Sequence, residues 1–286
     1  MQKLKNTLDE CYTRHNTECE LNEDKPDPLL VVKSFESSSI VAEIALICAL
    51  LSYGNASLIV KMLQSLDFSL LESKDKIRQS DKESFPYYRF QTRTDIKHLF
   101  LIIATMLEKQ SLKAHFINAF KNPPTNLTHW RQSKNFYHAR MLYSISSCIN
   151  LFHHYANKLN IPISSGLSFA LGTSCSEILK IKGNLPSGTG AFKRWNMLLR
   201  WLVRKDKVDM GLWQDSLSPR YLILPLDTHT LKLCKRLNII DSKQYNLKSA
   251  LQATDNLALL DENDPVKYDF ALYRLGQSGE YKHILS

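Results

Sequence analysis

No stretch of this chain is apolar for long enough to cross a bilayer: the greasiest run, IVAEIALICALL, is short and contains Glu43. The opening MQKLKNTLDE has no apolar core of the kind a secretory leader needs, so the expectation is a cytoplasmic protein with no membrane partner. Six cysteines, at 11, 19, 48, 148, 175 and 234, are separated by 8, 29, 100, 27 and 59 residues, and no pair has the close spacing of a zinc or iron–sulfur site. No metal and no other cofactor is expected. Cys48 and Cys234 stand among apolar neighbours at helical spacing and read as small core residues. The adjacent His153 and His154 point apart on a helix, which favours one buried and one solvated ring over a ligand pair. Internal repeats, low-complexity tracts and a long linker are also missing, and runs of alternating period are few and short.

What remains is a chain of 286 residues with 44% apolar side chains, enough to bury one large core or two ordinary ones. Lys plus Arg number 37 against 28 Asp plus Glu, a net +9 that favours a polyanionic partner without choosing between nucleic acid and a membrane surface. Helical periodicity dominates and predicts an all-α protein, with helices over about 2–14, 38–53, 55–66, 94–109, 111–120, 135–158, 164–171, 174–181, 190–204, 228–237, 245–253 and 265–275. Thr94 is the expected N-cap of the fourth, and Asp264 that of the last, with Pro265 at the first helical position. ELNEDKPDP, KNPPTN and DSLSPRY read as loops, and the polar segment up to about residue 36 as an arm packing on the downstream helices. Two helical lobes on one continuous chain are expected, approximately 38–205 and 1–37 plus 206–286, with a cleft as the default site.

LILPLDTHTLKLCKRLNII, residues 222–240, places Asp227 directly after an apolar run and directly before a helix. An aspartate there is a common N-cap, favoured by backbone N–H groups and the helix dipole. Its approach through Leu222, Ile223, Leu224, Pro225 and Leu226 also implies a partly dry carboxylate, which interacts strongly with any nearby cation. Leu231, Cys234 and Leu237 form one stripe of the helix, Lys232, Lys235 and Arg236 another, and Asn238 can end it in the left-handed conformation.

GNLPSGTGAFKRWNMLLRWLV, residues 183–203, is a Gly- and Pro-rich turn leading into an amphipathic helix. Gly188 and Gly190 allow backbone N–H groups to point outward at a helix N-terminus, an arrangement that can hold a phosphate. The helix is expected to bury Phe192, Trp195, Leu198, Leu199 and Leu202 and to carry Lys193, Arg200 and Arg204 along another face; a merely solvated Lys193 is the ordinary alternative.

The order of LPSGTGAFK, an apolar helix, and PLDTH opening a basic helix that ends CKRLNII resembles the helix-hairpin-helix DNA glycosylase superfamily. EIALICALLSYGNASLIVKMLQSL, residues 43–66, is similar to that superfamily's early helix pair, and YDFALYRLGQSG to its late helix. FPYYRF, LLRWLVRKDKVDMGLW and LILPLDTHT also make the full chain resemble a bacterial family of unknown function. The superfamily resemblance implies a two-lobed, all-α glycosylase-like fold and makes Asp227 the catalytic carboxylate, able to stabilise the positive charge that develops on deoxyribose as the base leaves. Lys193 falls where lyase-competent members carry a nucleophilic amine that attacks the anomeric carbon and forms a Schiff base. Gly188, Thr189 and Gly190 map onto the phosphate-holding hairpin, with Arg194 and Lys232 as further DNA contacts. The loop of Ser52, Tyr53, Gly54 and Asn55 matches the region that fills the gap left by an extruded base, although Tyr53 reads equally well as a core ring. Trp195 and Trp213 can stack on a flipped base, with simple packing the alternative for Trp195.

Two departures are specific. The hairpin is one residue longer than the usual form, and Lys193 and Asp227 are 34 residues apart, a long interval that resembles the archaeal 8-oxoguanine glycosylase branch. Up to Ser286 there is no four-cysteine cluster loop, so no iron–sulfur cluster is expected. The implied function is excision of a damaged base, such as 8-oxoguanine, from duplex DNA by a monomeric N-glycosylase with AP-lyase activity. A noncatalytic nucleic-acid-binding protein of the same fold and a structural helical domain, with a capping Asp227 and a solvated Lys193, are the competing readings.

Overall fold

The computed structural model describes residues 2–22, 24–174, 179 and 188–278. Most of the expected helix over 174–181 lies outside this set, as do Cys175 and hairpin residues 183–187. The chain is all-α. In order the helices are α1 (Gln2–His15), α2 (Pro28–Lys33), α3 (Val41–Leu50), α4 (Ala56–Gln64), α5 (Lys74–Gln79), α6 (Arg93–Leu107), α7 (Leu112–Lys121), α8 (Tyr137–Lys158), α9 (Ser165–Leu171), α10 (Lys193–Val203), α11 (Thr228–Arg236), α12 (Leu247–Leu257) and α13 (Tyr268–Ser278). Among the described residues there is no strand, only three isolated bridge pairs, and no helix is long and apolar enough to cross a membrane.

The chain forms two compact units. The first takes the described residues within 1–20, 124–141 and 178–286, the second those within 21–123 and 142–177. This division differs from the lobes expected near 205/206, because α10 and α11 fall in the same unit. The chain after α10 returns onto α10 itself: the amides of Met210 and Trp213 donate to the carbonyls of Trp201 and Leu202 at 3.0 and 2.6 Å.

In the first unit, α1 packs along α13, so the N-terminal arm docks on an element more than two hundred residues away. Tyr268 donates to Asp9 at 2.9 Å, and Asp9 also faces Lys267 at 3.2 Å. The expected polar face of α10 is corrected here. Arg200 and Arg204 are buried, Arg200 against Asp209 at 3.2 Å and Asp269 at 2.5 Å, Arg204 against Asp264 and Asp206 at 2.9 Å each and also against Asp209. The planar guanidinium forks find carboxylates on several sides, the condition under which an arginine is tolerated out of water. Burial alone would lower the pKa of Arg204; Asp209 and Asp264 outweigh it and hold the cation firmly charged. Trp195 and Trp213 are core rings, which removes them as platforms for an extruded base.

In the second unit, α3 is buried on every side, as expected of a helix apolar all round. Its single charge, Glu43, accepts the amide of Leu112 at the start of α7 at 2.7 Å; burial raises its pKa and that bond opposes the rise. α2 packs on α3 and α4, and α5 on α6. α2 lies where loop or polar arm was expected, and α5 where no helix was. α6 begins one residue earlier than expected, and Thr92, not Thr94, is its cap: Thr92 and Asp95 form a reciprocal capping box. Cys48, Cys148 and Cys234 are buried, His154 is exposed and His153 half-buried.

Candidate functional site

Residues 222–226 are all buried, and the chain emerges from them at half-buried Asp227, which N-caps α11. The amides of His229 and Thr230 donate to Oδ1 at 2.9 and 2.8 Å. Both capping bonds go to one oxygen, so Oδ2 takes no part in holding the helix. Beyond the cap, Leu231, Leu233, Cys234 and Leu237 are buried, whereas Lys232 and Arg236 are exposed; with Lys235 they line a shallow surface depression. Asn238 ends the element at φ +54°.

The described part of the hairpin begins at Gly188, whose φ of +86° suits glycine. Among the described residues, a Cβ added at Gly188 or Gly190 would meet nothing within 4 Å. The Thr189 carbonyl accepts the amide of Leu247, at the start of α12, at 2.9 Å, which fixes the hairpin's exit. Asn196, buried in α10, donates to the Ala191 carbonyl at 3.0 Å. Phe192 turns the chain at φ +52°, so α10 opens at Lys193, three residues later than expected. Lys193 and Arg194 are both half-buried.

Buried Asp269 lies within electrostatic reach of both segments. Its carboxyl is buried and bonded to Arg200; burial raises its pKa, Arg200 opposes, Asp227 adds to the rise and Lys193 pulls it down. Both expected catalytic groups therefore act on one buried carboxyl, although among the described residues they make no ion pair with each other. Tyr245, 45% exposed, belongs to the same neighbourhood: burial and then Asp227 raise its pKa, and Arg194 counters them. Neither Asp269 nor Tyr245 was legible as a site residue. Asp269 sits inside an ordinary amphipathic helix pattern, and Tyr245 precedes a helix whose start was expected at 245 but lies at Leu247, with Asn246 as its cap.

Tyr53 and Asn55 lie in the second unit. Asn55 is exposed and caps α4, its Oδ1 accepting the Leu58 amide at 3.2 Å, while Gly54 takes φ +115°. Ser52 is buried and donates to the Cys48 carbonyl at 2.6 Å. Tyr53 is half-buried among other rings, neither a fully buried core side chain nor a bare loop residue.

The family model described as "Protein of unknown function (DUF2400)" matches residues 27–278. The chain belongs to this family. The DUF2400 match runs from α2 through α13 and so includes Lys193, Asp227 and the 52–55 loop, with α1 before it. No curated protein matches the chain, and no solved structure does.

Proposed function

We propose that this DUF2400 chain is a DNA N-glycosylase with AP-lyase activity, built on a two-lobed helix-hairpin-helix glycosylase fold and excising a damaged base, with 8-oxoguanine as the leading candidate, from duplex DNA as a monomer. What supports the reading is that Lys193 and Asp227 lie in the same compact unit, at the starts of α10 and α11, each within electrostatic reach of buried Asp269. The exposed glycines at 188 and 190 and the cationic side of α11 supply what phosphate contact requires.

In this mechanism the hairpin and Lys232 hold the backbone while the target nucleotide leaves the stack. The glycosidic C–N bond breaks, its electron pair departs with the base, and Asp227 stabilises the positive charge left on the sugar. The Lys193 amine, once deprotonated, forms a bond to the anomeric carbon; a proton then passes from that nitrogen to the ring oxygen as the C–O bond breaks, which opens the sugar and leaves a protonated Schiff base. Removal of a proton from the adjacent carbon then expels the 3′-phosphate and cleaves the strand. Arg194 and Arg200 play different parts: half-buried Arg194, next to Lys193, is assigned to DNA contact, whereas Arg200 is committed to Asp209 and Asp269.

The test is base release and strand nicking by the intact chain on duplexes that each carry one defined lesion. Release from at least one duplex, with 8-oxoguanine first in order, is expected. Salt-sensitive duplex binding with no release from any of them would instead establish the noncatalytic nucleic-acid-binding alternative.

A further inference from the structure

The second unit presents an aromatic surface of which the glycosylase reading uses only Tyr53. Tyr88 and Gln91 exchange backbone hydrogen bonds at 3.0 and 2.9 Å, closing a tight turn with Arg89 and Phe90 at its tip. Arg89 sits at φ +53°, a left-handed conformation that is strained for a residue with a Cβ. The surroundings over-determine it. Tyr87 donates to the Arg89 carbonyl at 2.9 Å, Tyr88 to the Tyr53 carbonyl at 2.7 Å, and Gln91 to the Gly166 carbonyl at 2.7 Å. On the other side Gly166 lets α9 approach the Phe90 carbonyl so closely that any Cβ there would collide with it.

This anchored turn and α9 beside it hold aromatic rings in water. Tyr87 is 64% exposed, Phe90 57% and Phe169 41%. The Tyr53 and Phe90 rings lie within 13° of parallel with centroids 5.9 Å apart, and Phe169 meets them edge-on at 5.0 and 4.8 Å. The Arg89 guanidinium carbon is 5.8 Å from the centroids of both Tyr53 and Phe90. Asp95, the carboxylate beneath the start of α9, is buried and taken up by Thr92 and Ser164, so it does not cancel that cation at the surface.

Flat π-faces around a guanidinium suit a ligand that is itself flat and anionically linked. We infer that Tyr53, Tyr87, Phe90 and Phe169, with Arg89 among them, bind the bases and phosphates of an unpaired nucleic-acid strand. Bases stack on the rings whatever their sequence, and Arg89 takes a phosphate or stacks in turn. The net +9 of the chain agrees with a polyanion, whereas an apolar peptide would have no use for the central cation. The inference does not depend on chemistry at Lys193 or Asp227, which lie in the other unit.

The experiment measures anisotropy of a labelled single-stranded oligothymidine with the full chain and with Phe90→Leu, Phe169→Ala and Arg89→Asn. Phe90→Leu keeps an apolar filler while removing the π-face, and Asn tolerates positive φ, so both variants preserve the turn. Binding about tenfold weaker in Phe90→Leu and Phe169→Ala, with melting unchanged, is expected. Variants that bind as well as the parent, or a parent that binds an aromatic peptide but not oligothymidine, overturn the inference. Lys193→Gln serves as the separating control. Single-strand binding that survives Lys193→Gln, together with no base release from any lesion by the parent chain, sinks the glycosylase reading alone; base release by a parent whose single-strand binding is unchanged in Phe90→Leu sinks this one alone.

Discussion

Asp227 caps α11 through Oδ1, and the proposed function asks a second role of its carboxylate, so the two can be separated chemically. Asparagine caps helices about as well as aspartate, so Asp227→Asn should stay within about 0.5 kcal/mol of the parent in urea unfolding while abolishing base release. Asp227→Ala should lose about 1 kcal/mol as well. Base release at the parental rate by the Asn variant would reduce Asp227 to a cap. The hairpin glycines divide similarly. Gly190→Ala adds a methyl in open space at an ordinary φ, so its stability should hold while duplex affinity falls, as measured by anisotropy; Gly188→Ala should also destabilise, because φ there is +86°. A third residue reports on pH. Burial drives the His138 pKa down from 6.5 to about 4 against the opposing pull of Asp255. The unfolded chain therefore takes up the proton first, and the stability that neutral His138 supplies is complete above pH 6.5 and lost as pH falls towards 4. Urea midpoints across that window should decline, and less steeply in His138→Gln.

At the scale of elements, α10 departs furthest from its sequence pattern. Removing one partner from its buried ion-pair network leaves charge uncompensated, so Asp209→Ala should cost about 3–5 kcal/mol in urea unfolding. Loss of under 1 kcal/mol would mean that water reaches the arginines. That network was illegible locally, because Arg200 and Arg204 read as an outer face until Asp264 and Asp269 arrive from 60 and 69 residues away. Other departures had a local signal in the sequence. Thr92 stands three residues before Asp95, the spacing of a capping box, whereas Thr94 is its neighbour. Asp27-Pro28 opens α2 with the same grammar expected at Asp264-Pro265, and Asp27 does cap, accepting the Leu29 amide at 2.8 Å. Asp264 instead spends its carboxylate on Arg204, and a short 3-10 turn over Pro265–Lys267 precedes α13. Asn238 ended α11 as expected, since a left-handed stop is a local property.

For the whole molecule, helical periodicity was sufficient to read the all-α class, because each amphipathic stripe is written within one helix. The partition into two units was not, since it depends on which distant segments pack, as α1 does on α13 and α2 on α3. The same limit applied to the site: Asp227 and the hairpin were visible in sequence, but Asp269 and Tyr245 beside them were not. Net charge acts at this scale too. An excess of nine positive charges predicts that duplex affinity falls linearly on a log–log plot against salt, with a slope of about −0.9 for each phosphate contacted. A flat plot would remove nucleic acid as the partner. The most direct measurement of the central claim, that the hairpin amine attacks the sugar beside the Asp227 carboxylate, is borohydride trapping on a duplex bearing 8-oxoguanine or an abasic site. A covalent protein–DNA adduct that forms with the intact chain and disappears in Lys193→Gln is the predicted result; an adduct that persists in Lys193→Gln, or none on either duplex, would contradict it.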